Sequence, residues 1–281
     1  MIDPIIEQNC SSFVSSIRQS IENEHKENVF NDLCIVFSCI DNTTLNGDDT
    51  ESHVSEFCLQ TRGFRLENDF GVLHPASVCV YPVFVRTAKK LMAGTDIKVA
   101  SVAGGFPSGQ TFADVKLEEV RRAIGEGADE IDFVINRGLM LGGNQSAVAD
   151  EVAKAKQICG KEHLLKVILE TGELKTPDAV YDTSLLVLEA GADIIKTSTG
   201  KTAIGATPEA AYAMLSALSE YRKKFHKNVG IKLSGGISNP LDALLYYRMS
   251  KKILGNFNID KQNFRIGASR LTMRMFEFLT H

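Results

Sequence analysis

Eight times along this chain a short apolar, β-branched run gives way to a stretch of helical length. No two strand-like runs follow one another directly, so the strands need crossovers and lie parallel. The runs are Leu33–Asp41, Ser77–Tyr81 (stopped by Pro82), Ile97–Val102, Glu130–Ile135, Leu165–Glu170, Ile194–Lys196, Val229–Leu233 and Phe264–Ser269. For the first, a helix end is an open alternative. Helices are predicted over about 49–61, 111–126, 145–159, 177–190 and 208–224, with a last one from about Arg270.

A doubly wound sheet shares that alternation. A closed barrel is favoured by charged residues at several separate strand ends and by an internal repeat. Gly127-Ala128-Asp129-Glu130-Ile131-Asp132 and Gly191-Ala192-Asp193-Ile194-Ile195-Lys196 share the pattern Gly-Ala-Asp-x-Ile, each after a helix end. Equal offsets place Asp132 and Lys196 at the same depth, and alternate strands of a barrel fill one interior layer. The expectation is an α/β fold, a (β/α)8 TIM barrel. The 281 residues make a single domain, 1–281, because such barrels use roughly 250 residues. Residues 1–31 carry Ile5, Ile6, Phe13, Val14, Ile17 and Ile21 at near-helical spacing. They are predicted as an N-terminal helical extension, packed on the barrel or at an interface, with a homodimer as the expected assembly.

Composition excludes several functions. A net charge of −4 offers no electrostatic footprint for nucleic acid. No apolar run approaches the roughly 20 residues of a membrane span, and the start of the chain lacks a signal-peptide pattern. Six cysteines without paired C-x-x-C spacing read as reduced thiols, so the expected compartment is the cytosol. The six histidines are scattered, with no pair at metal-ligand spacing. Neither a metal nor an organic cofactor is expected.

The chemistry is carried by lysines in the wrong place. Lys196 sits inside an apolar strand, where an unpaired ammonium is rare. Lys232, in Val229-Gly230-Ile231-Lys232-Leu233-Ser234-Gly235-Gly236, again ends a short apolar run. A lysine attacks a carbonyl only when neutral, so its pKa must fall from about 10.4 toward 7, a cost of roughly 4–5 kcal/mol. A second ammonium about 4 Å away contributes roughly 4 kcal/mol at an effective dielectric near 20. Lys232 is thus expected to supply most of the shift and burial the rest. Asp132 pulls the other way as an anion, and suits a proton relay better. Whether Lys166 faces the interior or the helical layer is not settled by strand parity.

The segments "EIDFVIN", "VILETGELK", "DIIKTSTGK", "VGIKLSGGI" and "FRIGAS" occur in this order. With "CIDNTTLNGDDT", "ASVCVYP" and "GGFPSGQT" they make residues 38–270 resemble the deoxyribose-phosphate aldolase family. The resemblance implies a class I aldolase that reversibly cleaves 2-deoxy-D-ribose 5-phosphate to D-glyceraldehyde 3-phosphate and acetaldehyde. It implies that Lys196 forms the Schiff base while Lys232 and Asp132 tune it and relay protons. It places an active-site aspartate at Asp41, within the polar tip Asp41-Asn42-Thr43-Thr44, where a helix or turn cap is the alternative. It places a cysteine near substrate at Cys79, where a buried inert thiol is the alternative.

A small-molecule sugar phosphate is the implied ligand. In such barrels the loops after strands seven and eight often bind phosphate through backbone amides. Gly235-Gly236 and Gly267-Ala268-Ser269 stand there, with Thr199, Gly200 and Lys201 beside them. The glycine-rich Gly104–Gly109 loop is expected to accept substrate close to its backbone.

Three features depart from the family. Leu233-Ser234 replaces the usual Pro-Ala. Ser238 stands where arginine is frequent, with Arg270 as a substitute cation. The sequence ends at His281, without the tyrosine-ended tail of several members, so slower proton transfer is expected. Two other readings stay open: a binding or scaffold barrel of low activity, and a Schiff-base aldolase for another sugar phosphate.

Overall fold

The apolar runs close on themselves. The strands β1 (Ile40–Thr43), β2 (Ser77–Val80), β3 (Lys98–Ala103), β4 (Glu130–Val134), β5 (Leu164–Ile168), β6 (Ile194–Lys196), β7 (Gly230–Ser234) and β8 (Phe264–Ala268) form a closed barrel. Each pairs in parallel with its sequence neighbours, and β1 completes the ring by pairing with both β2 and β8. The computed structural model describes residues 5–68, 71–255 and 258–280.

Two helices precede the barrel, α1 (Ile5–Asn23) and α2 (Lys26–Ser38). One outer helix then follows each strand in turn: α3 (Glu51–Gly63), α4 (Val85–Met92), α5 (Ala113–Gly125), α6 (Gln145–Cys159), α7 (Pro177–Glu189), α8 (Pro208–Phe225), α9 (Pro240–Leu254) and α10 (Leu271–Thr280). The fold is the expected (β/α)8 barrel. Among the described residues no helix is long and apolar enough to cross a membrane.

The run at 33–41 is divided differently from its reading as a strand. Leu33, Cys34, Val36 and Phe37 are buried on the last turns of α2, and the strand begins only at Ile40. A short apolar run looks alike in a buried helix and a buried strand. The helical extension therefore reaches Ser38, past residue 31. On α1, Ile17 is buried, and Phe13 stacks edge-on against Tyr212 of α8 at 5.4 Å. The side chains of Ile5 and Ile6 and the terminal His281 lie outside the described residues. A small antiparallel hairpin, Leu66–Asn68 with Gly71–Leu73, enters between α3 and β2 without a sequence expectation.

Local chemistry explains the helix starts around the mouth. Thr176, Thr207 and Asn239 each precede a proline at the first helical position, and their side chains accept the N–H of Ala179, Ala210 and Leu241. An N-cap acceptor satisfies an otherwise orphan amide, and proline loses nothing there because its missing N–H has no partner.

The Gly-Ala-Asp repeat is a latch at the opposite end. Gly127 and Gly191 adopt φ values of 106° and 107°, which turn the chain sharply from helix to strand. Asp129 then accepts the N–H of Val99 on β3 at 2.9 Å and the ammonium of Lys89 at 2.6 Å. Asp193 repeats this with Leu165 N–H on β5 at 2.8 Å and Lys156 at 2.7 Å. Each latch fastens a strand to the one before it.

The main apolar core lies between the barrel and its helices. Inside the barrel a small cluster of Leu45, Cys79, Ala100 and Val102 lies on one side.

Loss of a latch should be measurable. Asp193→Ala leaves the Leu165 amide without its acceptor, a cost of about 1–3 kcal/mol. Asp193→Asn keeps an acceptor and loses only a partly exposed ion pair, worth about 0–1 kcal/mol. Thermal denaturation should show the alanine variant melting several degrees below the asparagine variant. Equal melting temperatures would remove the latch from the account.

Candidate active site

Along a strand, alternate side chains enter the barrel, and here most that do so at mid-depth are charged. Asp41 enters from β1, Glu130 and Asp132 from β4, Lys166 from β5, Lys196 from β6, Lys232 from β7 and Arg265 from β8. None of these side chains is more than 3% exposed. Lys196 and Lys232 are register partners on adjacent strands, and Asp132 is paired with Lys166 in the same way.

Lys196 Nζ donates to Asp132 Oδ2 at 2.7 Å, and Lys232 Nζ donates to the same oxygen at 2.8 Å. Lys232 also reaches Asp41 Oδ2 at 2.5 Å. Lys166 contacts all three carboxylates: Asp132 Oδ1 at 2.8 Å, Asp41 Oδ2 at 3.2 Å and Glu130 Oε2 at 2.6 Å. Arg265 donates to Asp41 Oδ1 at 2.5 Å and to both oxygens of Glu130 at 3.0 and 2.7 Å. The equal-offset repeat thus brings Asp132 and Lys196 together, and Lys166 faces the interior.

Proton affinities divide the lysines. Burial disfavours every ammonium here. For Lys166 it is overcome by Asp132, Asp41 and Glu130, and for Lys232 by Asp132 and Asp41, so both are raised above the usual lysine value. For Lys196 burial wins: Asp132 opposes it, but Lys232 adds to it, and the lysine is lowered. Burial rather than Lys232 is the larger cause, which reverses the expected order. Burial also works against the Asp132 anion, but Lys166, Lys196 and Lys232 together outweigh it and hold the carboxyl well below its usual range.

Above this cluster lies a cleft of about 240 Å³. Thr43, Lys196, Thr199, Gly200, Lys201, Gly235, Gly236, Gly267, Ala268 and Ser269 all line it. Asp41, Cys79, Asp132 and Lys232 do not; they are buried beneath it. Of the three interior lysines, Lys196 alone lines the cleft. Cys79 Sγ–H points toward Asp132 Oδ2 at 3.9 Å, and burial pushes its thiol up. That environment suits an inert thiol.

The glycines differ in what they do. A Cβ on Gly236 or Gly200 would meet nothing within 4 Å, so both are open to the cleft. A Cβ on Gly267 would come within 2.9 Å of Lys232 Cε, and one on Gly235 within 2.7 Å of Gly205 Cα. These two make room for the buried lysine and for contact between the β6 and β7 loops. The Gly104–Gly109 loop departs from expectation, because the N–H groups of Gly104 and Gly105 are taken by Glu119 at 2.6 and 2.9 Å.

Ser234 replaces the stiffness a proline would supply. Its N–H donates to Thr197 Oγ1 at 2.9 Å and its hydroxyl to the Ser198 carbonyl at 2.6 Å. Ser238 and Arg270 both line the cleft.

Sequence reasoning missed Glu130, Arg265 and Glu170. Glu170 is buried at φ 56° and accepts from Thr199 Oγ1 at 2.5 Å and Thr202 Oγ1 at 3.1 Å. It fastens the loop after β6 to the end of β5. Charged residues within strand-like runs were the available signal for Glu130 and Arg265. Leu45, Asn46 and Ile237, which also line the cleft, carried none.

The model of the DeoC/LacD family aldolases matches residues 35–252. Deoxyribose-phosphate aldolase of Homo sapiens is 44% identical over 241 residues, covering 83% of this chain and 76% of that protein. The Bos taurus deoxyribose-phosphate aldolase is 43% identical over 243 residues, with the same coverages of 83% and 76%. Among solved structures, deoxyribose phosphate aldolase from Aeropyrum pernix, described as a unique tetramer, has a TM-score of 0.68 at 26% identity, covering 92% of this chain and 99% of that one. Residues 35–252 include the cleft lysine and both aspartates beneath it, and on that match the chain belongs to the DeoC/LacD aldolase family.

Proposed function

We propose that the chain is a class I aldolase that reversibly cleaves 2-deoxy-D-ribose 5-phosphate into D-glyceraldehyde 3-phosphate and acetaldehyde. One observation carries this reading. Lys196 is the interior lysine that both opens on the cleft and has its proton affinity lowered.

Neutral Lys196 Nζ attacks the aldehyde carbon C1 of the open-chain sugar, and loss of water gives a protonated imine. Removal of the C3 hydroxyl proton breaks the C2–C3 bond. The released electron pair moves through C2 into the imine, leaving an enamine on Lys196, and glyceraldehyde 3-phosphate departs. Protonation at C2 and hydrolysis then free acetaldehyde and the lysine. Asp132 and Lys232 lie one hydrogen bond from Lys196 or from each other, where they relay the proton that moves in each step.

The uncrowded glycines Gly200 and Gly236, with Lys201 and Arg270 on the same cleft, suit the phosphate. Ser238 supplies no charge to that wall. Six buried cysteines that remain thiols fit a reducing cytosol.

The direct test is borohydride reduction with acetaldehyde present, followed by mass mapping. The adduct is expected on Lys196; a label on Lys232 or Lys201 instead would sink the assignment.

The lysine pair makes a second prediction. Sharing Asp132 Oδ2 keeps the two nitrogens close, and at roughly 5 Å two unit charges interact by about 3 kcal/mol at an effective dielectric near 20. That corresponds to roughly two pH units. Lys232→Met removes the repelling ammonium and leaves Asp132 less neutralised. Both effects raise the Lys196 proton affinity, so the neutral form appears only at higher pH. The rising limb of kcat/KM should move alkaline by about two units, and an unmoved limb would contradict the pairing.

The phosphate wall makes a third. Ser238→Arg should lower KM by roughly tenfold, the equivalent of about 1.4 kcal/mol, with kcat nearly unchanged. A fall in kcat without a change in KM would place Ser238 away from the phosphate.

A further inference from the structure

The floor of the barrel carries groups that the reaction does not touch. Arg265 binds Glu130 through two nitrogens and reaches Asp41 with one of them. Asp41 in turn accepts from Lys232 and Lys166. Around this column, β2 presents Cys79 and β3 presents Ala100 and Val102. Glu130 and Asp132 face it from β4, Lys166 from β5, Lys196 from β6 and Lys232 from β7. Lys201 and Arg270 stand at the cleft above.

We infer that Arg265 and Glu130 are a positioning pair for the reaction, acting through Asp41 to decide which buried lysine is left without a carboxylate of its own. The inference rests on the assignment of Lys196 as nucleophile.

The argument is one of charge count. Four groups that can be cationic (Lys166, Lys196, Lys232, Arg265) meet three carboxylates (Asp41, Glu130, Asp132), all of them buried. Arginine does not give up its proton in proteins. Arg265 therefore holds a permanent claim on Glu130 and on one oxygen of Asp41. The lysines compete for what remains. Lys166 touches three carboxylates and Lys232 two, whereas Lys196 touches one oxygen that it shares. The proton missing from the cluster is therefore missing at Lys196, beneath the cleft. Such groups titrate as a set, so a charge change at the floor is felt at the mouth.

Opposite changes at the floor should move Lys196 in opposite directions. Arg265→Met leaves three lysines facing three carboxylates, so Lys196 keeps its proton to higher pH. Glu130→Gln adds to the positive excess, so Lys196 loses its proton at lower pH. A unit charge roughly 10 Å away at an effective dielectric near 20 is worth about one pH unit. The double variant, which removes one charge of each sign, should return close to the original profile.

The measurement is the rate of reductive trapping of acetaldehyde on Lys196 against pH, read by mass mapping, with thermal denaturation to confirm folding. Shifts of about one unit in opposite directions, cancelling in the double variant, support the pair's role. Shifts of one sign, or no shift, would overturn it. If Arg265→Met does not fold, Glu130→Gln decides alone, an acid shift for the inference and none against it. Absence of a Lys196 adduct in the unaltered chain would instead remove the aldolase reading. Unmoved profiles with the adduct present remove only this inference.

Discussion

An uneven number of buried charges inside one barrel governs this protein. Each ion pair inside the barrel offsets a desolvation cost that neither partner could bear alone. With three carboxylates and four potential cations among the described residues, the set is electrically even only when one lysine is neutral. The interior thus leaves Lys196, which shares its one carboxylate oxygen with Lys232, as the least compensated of the three lysines. Stability and proton affinity are one electrostatic problem here, because the buried pairs that hold the strands together also set how firmly each lysine holds its proton.

That arrangement needs space as well as charge. Gly267 leaves room for the stem of Lys232, and Gly205 and Gly235 let two mouth loops touch backbone to backbone. Ala206 N–H closes that contact by donating to the carbonyls of Ser234 and Gly235 at 3.0 and 3.1 Å. The left-handed Glu170 is the counterpart on the other side of β6. A non-glycine residue is rarely found there, and its carboxylate is committed to Thr199 and Thr202. The loop after Lys196 is therefore tied from both neighbouring strands, which keeps that wall of the cleft in place.

Much of this was legible in the chain. The alternation and the Gly-Ala-Asp repeat carried the barrel, and the lysines inside apolar strands pointed to the candidate site. The strand boundary at Ile40 was not legible, since burial on all sides erases the periodicity that separates helix from strand. Nor was the inward direction of Lys166, because a strand buried on both faces shows no alternation to read. The glycines were overread as one class. Which of them faces a ligand and which faces another backbone depends on loops that meet only in the closed barrel. Arg265 and Glu130 escaped notice for a related reason: each looks like an ordinary strand-end charge until the other is placed across the barrel.

The latches at Asp129 and Asp193 sit before their strands, whereas the cleft lies after them. Ring closure and ligand contact are thus served by different stretches of chain at opposite ends of the same strands. A barrel fastened from below leaves its upper loops free to accumulate changes without loosening the ring. Seen as raw material, the scaffold separates what must be kept from what can be varied. The lining of the mouth can change with the charged floor of the barrel left as it is.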